Sequence, residues 1–340
     1  MSGVAPGGVA PGGVAAAPAT TAAPAEPVRG FAGDAYEVVV IGGGPAGLSV
    51  GLNLARARRR VLILDSNRPR HSATLISHGF ITRDGVAPLE LRALGREEFS
   101  AYPTAEFHQG LVDSVTRTSG GDFTVTSRGV RGSANRVVTA AVVVLAHGLT
   151  ETLPALPSIR AYYGTALHSC IACDLFEKTD QPLAMIGETP DVAERALLVS
   201  QITDDLIVFT NGSADAVSAA EEQALGVRGI AVERRAIADL DGDRSGLTGV
   251  RLDDGTVIPR TGGFVRPLWA VPTAHLEALE PALERDADGY LVVDASGQTS
   301  QPGLFAAGDL TPPGPQQLIV AAGAGARVAA SVNRHLLGPL

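Results

Sequence analysis

The sequence predicts a doubly wound α/β fold in which a second dinucleotide-type unit is inserted into the first. Three observations carry this. Residues 37–65 run strand, glycine turn, helix, strand, which is a βαβ unit. The same pattern starts again over residues 183–209. After Gly262 the composition of the first part returns and closes on a helix of glycine and alanine. At 340 residues the chain is long enough for two units that each bury a core.

Taken in order, residues 1–34 repeat Val-Ala-Pro-Gly-Gly and continue through Ala, Pro and Thr. Such a segment has little side chain to bury, so it reads as a disordered tail. It has no basic start with an unbroken apolar stretch, and so makes a poor secretory signal. Glu37 to Ile41, mostly β-branched, fits a parallel strand buried on both faces. Ala46 to Arg58 has helical spacing, and Val61 to Leu64 is a second apolar run ending at Asp65. A helix is predicted over Pro88 to Ala101, then strands at Thr124–Thr126 and Val137–Ala146, with Pro154 to Tyr163 as a linker. The second βαβ pattern takes Leu183–Ile186, Val192–Gln201 and Leu206–Phe209. The units therefore divide as 35–152 with 263–340, and 153–262.

Charge and composition exclude several classes. The net charge of -9 argues against a nucleic-acid partner, which needs a basic face. No run reads as a membrane span, because the most apolar one, Val38 to Leu54, is broken by Gly42-Gly43-Gly44-Pro45. Two cysteines are too few for a secreted disulfide framework, and a reducing cytoplasm is the expectation.

Gly42, Gly44 and Gly47 form G-x-G-x-x-G between strand and helix, with Pro45 and Ala46 inside it. The first glycine permits a tight turn, the second lets backbone approach a pyrophosphate, and the third lets helix pack on strand. The free N–H groups of the helix N-terminus then face the phosphates. Asp65 stands where a carboxylate accepts a ribose hydroxyl. Cys170-Ile171-Ala172-Cys173 is a lone C-x-x-C with no second pair or histidine cluster to complete a zinc site. Two thiols so spaced close a disulfide readily, and the thiolate is the reactive form. Asp174 and His168 are the neighbours available to help ionise it. The competing reading is two buried apolar cysteines. Trp269 reads as packing, with the wall of a substrate pocket as its alternative, and His78 as either a proton relay or a packed, hydrogen-bonded residue. His147 ends a strand, at a turn where it replaces a small residue.

From Tyr36 onward the chain resembles the low-molecular-weight thioredoxin reductases. The resemblance lies in Gly42 to Gly47, Ala146-His147-Gly148, Cys170 to Asp174, and Gly303-Leu304-Phe305-Ala306-Ala307-Gly308-Asp309. It implies two Rossmann-like units, the first a three-layer ββα FAD-binding one, and a homodimer. FAD is the implied cofactor, with Gly308 and Asp309 at its ribityl chain and Gln316-Gln317-Leu318 near the pyrimidine edge. A helix or turn cap is the plainer reading of Asp309. By the same resemblance Cys173 contacts the flavin, Cys170 exchanges with substrate and Asp174 moves the proton.

The resemblance breaks at the nicotinamide site. Of the second fingerprint only Gly187 survives in Gly187-Glu188-Thr189-Pro190-Asp191-Val192, and two carboxylates stand beside the would-be phosphate. After Phe209 no arginine follows until Arg228, although a 2′-phosphate needs an arginine clamp. A flavin and a dithiol without that site, together with His78-Gly79-Phe80-Ile81-Thr82-Arg83-Asp84-Gly85 and Asp180-Gln181-Pro182-Leu183, resemble the dithiol oxidases of the gliotoxin and holomycin kind, and that resemblance implies the expected function. There a small-molecule or peptide dithiol reduces the cysteine pair, the pair reduces FAD, and O2 reoxidises the flavin to give H2O2. One departure is Asp174, since those oxidases usually carry a histidine after the second cysteine. A thioredoxin-reductase-type reductase fed by NADPH or ferredoxin, and a redox-sensing flavoprotein, are the alternatives.

Overall fold

A computed structural model describes residues 33–312 and 314–339; apart from Gly33 and Asp34, the expected tail lies outside them. The chain opens with β1 (Ala35–Ile41), α1 (Pro45–Arg56) and β2 (Val61–Asp65), then α2 (Pro88–Ser100), β3 (Ala105–Arg117), β4 (Phe123–Gly129) and β5 (Arg136–Leu145). A short β6 (Thr150–Thr152) leads to α3 (Ile159–Tyr162), β7 (Leu167–His168) and α4 (Ile171–Asp174). The second βαβ pattern is β8 (Leu183–Ile186), α5 (Val192–Val199) and β9 (Leu206–Phe209), followed by α6 (Ala219–Gly226) and β10 (Ala231–Glu233). A meander of β11 (Ile237–Asp243), β12 (Gly246–Leu252) and β13 (Val257–Pro259) precedes β14 (Gly262–Val265) and β15 (Leu268–Ala270). The chain closes with β16 (Leu304–Ala306) and α7 (Leu318–Leu337).

The larger sheet joins strands from both ends of the chain: β1 pairs in parallel with β2 and β5, and β16 with β5. Two long strands serve two layers. Ala105–Gln109 of β3 pairs with β2, while Gly110–Arg117 pairs antiparallel with β4. Likewise Arg136–Ala140 of β5 faces β4, and from Thr139 onward β5 runs beside β1. The burial of β5 follows this change of role. It alternates in the meander, then is continuously buried from Val142 to Leu145, where both faces are covered. Helices α1 and α7 cover one face and the antiparallel part of β3, β4 and β5 the other, with an apolar core on each side, so the α/β three-layer expectation holds.

The smaller sheet runs β10-β9-β8-β14-β7. It extends past the boundary expected at residue 262, because β14 pairs with β8 and β7. Gly263 in β14, at φ +154, lies so close to the Ala184 carbonyl that a Cβ would collide with it. The expected linker at Pro154–Tyr163 contains the α3 turn. Among the described residues no helix is long and apolar enough to cross a membrane.

Candidate active site

The first glycine turn is built to leave a helix end open. Gly42 has φ +108 and carries the tight turn, and a Cβ there would strike the Ala146 carbonyl. A Cβ on Gly47 would strike the Gly42 carbonyl, so Gly47 packs α1 on β1 and does not line the cavity. Gly44 caps α1 without a side chain, and a Cβ placed on it would meet nothing within 4 Å. Pro45 fills the first helical position, where a missing N–H costs nothing. Asp65 accepts from the Gly43 N–H at 3.1 Å and from Arg92 at 2.6 Å. Arg92, on α2, is 2% exposed and also donates to the Gly43 carbonyl. It carries no motif, and nothing in the helical pattern of α2 marks it as the partner of Asp65.

From the C-terminal side, β16 delivers Gly308 at φ +85 and then Asp309, which pairs with Arg70 at 2.8 Å. Burial works against the Arg70 charge, but Asp309, Glu151 and Tyr163 outweigh it and hold the guanidinium pKa above its usual value. Gln317 caps α7, and Gln316, Gln317 and Leu318 line the same cavity.

The cysteines form a disulfide with Cα atoms 5.3 Å apart. Cys170 caps the single turn α4, Cys173 lies inside it, and both are half-buried. They line one cavity of about 410 Å³ together with Gly42, Gly44, Pro45, Ala46, Asp65, Gly308, Asp309, Gln317 and Asp174. The fold thus gathers every predicted site residue except Gly47 around one space. Partners absent from the sequence reading hold the disulfide segment. The Tyr163 hydroxyl bonds to Glu151, the Ser169 hydroxyl lies 2.8 Å from Tyr163, and Arg195 donates to the Ser169 carbonyl at 2.6 Å. Burial first, then Glu151, pushes the Tyr163 phenol up beyond the ordinary tyrosine range.

The second glycine turn is filled by its own side chains. A Cβ on Gly187 would come within 2.8 Å of Val192 Cγ2. Asp191, at the N-terminus of α5, accepts from Thr189 and from Arg266, each at 2.6 Å. Burial alone would raise its pKa, but those bonds hold it below the usual carboxylate range. Arg266 lies 4.0 Å over the ring of Trp269, which packs against the core of the larger sheet. Glu188 accepts from Asn211 at 2.6 Å, and the arginines after β10, Arg234 and Arg235, are paired with Glu222, Glu233 and Asp254.

Residues 36–325 match the pyridine nucleotide-disulphide oxidoreductase family. The chain belongs to that family. It is 34% identical over 187 residues to a protein named as a probable thioredoxin reductase in Arthroderma benhamiae, covering 54% of this chain. That match spans 45% of the relative, less than half its length. Two solved structures are similar over nearly their whole length. TrxB of Bacillus anthracis, named as a thioredoxin reductase, superposes with a TM-score of 0.82 at 35% identity, covering 88% of this chain and 98% of that one. HlmI superposes with a TM-score of 0.82 at 36% identity, covering 91% and 95%. This disulphide oxidoreductase is accordingly a thioredoxin-reductase-like flavoprotein with FAD as its cofactor.

The residues present fit FAD. The open face of Gly44 at a helix N-terminus suits a pyrophosphate. Three half-buried histidines on the cavity hold buried ring nitrogens without partners among the described residues: His147 at both positions, and His71 and His275 at Nε2. Burial pushes His147 down to about 3 and His71 and His275 down to about 4, so all are neutral at pH 7. Unsatisfied buried polar atoms are costly, and a polar ligand in the cavity supplies what the protein does not. His147 and His275 meet edge to face at 4.8 Å, a pairing of residues 128 positions apart that sequence reading could not supply.

Proposed function

We propose that this flavoprotein is a dithiol oxidase that closes a disulfide in a small-molecule or peptide substrate. One contrast supports the reading: the Cys170–Cys173 disulfide shares a cavity with the cofactor residues, while the second glycine turn holds the Asp191 carboxylate, bonded to Thr189 and Arg266, at the helix N-terminus where a dinucleotide phosphate would bring its own negative charge. In this reading a substrate thiolate attacks Cys170 Sγ. A bond forms between the two sulfurs, the Cys170–Cys173 bond breaks, and the electron pair leaves on Cys173. The second substrate thiol then attacks its own sulfur in the mixed disulfide, closing the product and releasing Cys170. Bound FAD supplies the two-electron acceptor and O2 the final oxidant, so that a dithiol and O2 give a disulfide and H2O2. Gly42 to Gly47, Asp65, Gly308, Asp309 and Gln317 hold the cofactor, and Asp174 serves proton transfer at the cysteines.

The names of the relatives favour a second reading, a disulfide reductase that runs the same thiol exchange in reverse. Anaerobic titration separates the two. Bleaching of the flavin by dithiothreitol, none by NADPH, and peroxide release on admitting air is the expected result; rapid bleaching by NADPH gives the case to the reductase. Cys173→Ser should abolish thiol-driven bleaching while FAD stays bound.

A further inference from the structure

Ser169, the residue before Cys170, is held from two sides, and both holds start from one rung of one strand pair. On the first side the Tyr163 phenol bonds to Glu151 and lies 2.8 Å from the Ser169 hydroxyl. Burial and Glu151 raise its pKa, so the phenol keeps its single proton for the Glu151 carboxylate, and the serine hydroxyl donates to the phenol oxygen. On the second side Arg195 donates to the Ser169 carbonyl at 2.6 Å, and its guanidinium lies 5.9 Å from the centre of the Trp269 ring. Glu151 belongs to β6 and Trp269 to β15, and the two are register partners in that antiparallel ribbon. Directly opposed residues put their side chains on one face of a ribbon. The rung therefore reaches the same serine twice, once through its hydroxyl and once through its carbonyl.

The rung is itself fixed on the cofactor side. Trp269 packs against the core of the larger sheet, and Arg266, paired with Asp191, lies 4.0 Å over its ring. Glu151 pulls on Arg70, which carries Asp309. Glu151, Tyr163 and Ser169 line the cavity together with both cysteines. The helix of the second glycine turn, α5, brings Arg195 to this hold, and Asp191 at its N-terminus brings Arg266.

We propose that Tyr163 and Arg195 are positioning residues that carry the Glu151–Trp269 rung to Ser169, and so fix where the Cys170–Cys173 disulfide stands against the cofactor residues. This rests on the exchange between disulfide and flavin in the proposed function, in either direction. There the reduced cysteine pair gives two electrons and two protons to bound FAD as its disulfide re-forms. Neither positioning side chain joins that transfer; together they set its distance. A carbonyl and a hydroxyl of one residue, each tied to a different partner, lose a bond whenever the segment slides or turns. Small displacements are costly for a transfer between fixed groups, whereas attack by a free substrate thiol at Cys170 tolerates them.

The test uses the FAD-loaded enzyme with Tyr163→Phe, Arg195→Met and both together. Dithiothreitol is raised until flavin bleaching no longer quickens, so that transfer within the protein is what is read. Opening of the disulfide is followed in parallel by quenching and alkylating the freed thiols. Bleaching is expected to slow about 10-fold in each single variant and about 100-fold in the double one, with disulfide opening kept within about twofold. Hydrogen exchange of the oxidised enzyme gives a readout apart from turnover: amides of residues 167–174 should exchange about 10-fold faster in the double variant. Unchanged bleaching in the double variant, disulfide opening slowed as much as bleaching, or unchanged exchange at residues 167–174 would each overturn the proposal. Should dithiothreitol fail to bleach even the unmodified enzyme, the oxidase reading falls, and the holds are read in reverse, from the rate at which light-reduced flavin opens the disulfide. Equal rates in the unmodified and double-variant enzymes would then overturn them.

Discussion

At the first turn Gly44 leaves the N-terminus of α1 facing the cavity, whereas at the second Asp191 sits on the N-terminus of α5 under the clamp of Arg266. Both turns join a buried parallel strand to a helix, β1 to α1 and β8 to α5, so the backbone plan is shared. What separates them is the charge held beside the helix end. An open end is an invitation to an external anion; an end beside an internal carboxylate already has its counter-charge. Fold alone therefore does not tell how many dinucleotides a chain of this build binds.

The comparison can be broken or sharpened at four places. Gly47→Val should have the largest effect, since its side chain collides with the Gly42 carbonyl; the flavin absorbance of the purified protein should be lost. Arg92→Met strips a buried partner from Asp65 and should cost about 3 kcal/mol in urea unfolding. A smaller change would show that the first turn keeps its shape without that support. Acidification comes next. His71, His147 and His275 stay neutral in the folded protein down to about 4, 3 and 4, while unfolded histidines take up protons below about 6.5. The unfolded state then binds more protons, so their full contribution holds above about pH 6.5 and is lost as pH falls toward 4. The unfolding free energy from urea titration should drop across that window, by roughly 3 kcal/mol per histidine. Asp191→Ala should matter least, about 1 kcal/mol or less, because the ion pair is partly open to water. NADPH should still fail to bleach the flavin of that variant, as Thr189 and Val192 remain; prompt bleaching would mean that one carboxylate alone divides the two turns.

The elements that could be read from sequence are those whose burial is continuous. β1, β2, β8 and β9 are short apolar runs bounded by turns, and each lies where its run lies. β3 escaped because its pattern is mixed: Glu106, His108, Gln109 and Asp113 interrupt it, since much of the strand is only half-buried. The meander β11–β13 escaped for the same reason, with half-buried Asp239 and Asp241 and exposed Asp243 interrupting its apolar residues. At the site, glycines, cysteines and Asp309 carry local motifs, but their partners do not. Arg70 reaches Asp309 across 239 positions, and Arg92 reaches Asp65 across 27. Asp174 looked like a departure because the histidine expected after Cys173 is missing from the sequence; the imidazole beside it arrives from His168, on the other side of the disulfide.

The two crossings between the sheets lie side by side, because β6 and β15 pair through Thr150–Thr152 and Leu268–Ala270. Glu151 lies in that ribbon and reaches the sulfur-bearing segment through Tyr163. The strand pair between the sheets is thus tied to the sulfur-bearing segment through this phenol, so that Tyr163→Phe would cut that link and leave both sheets as they are.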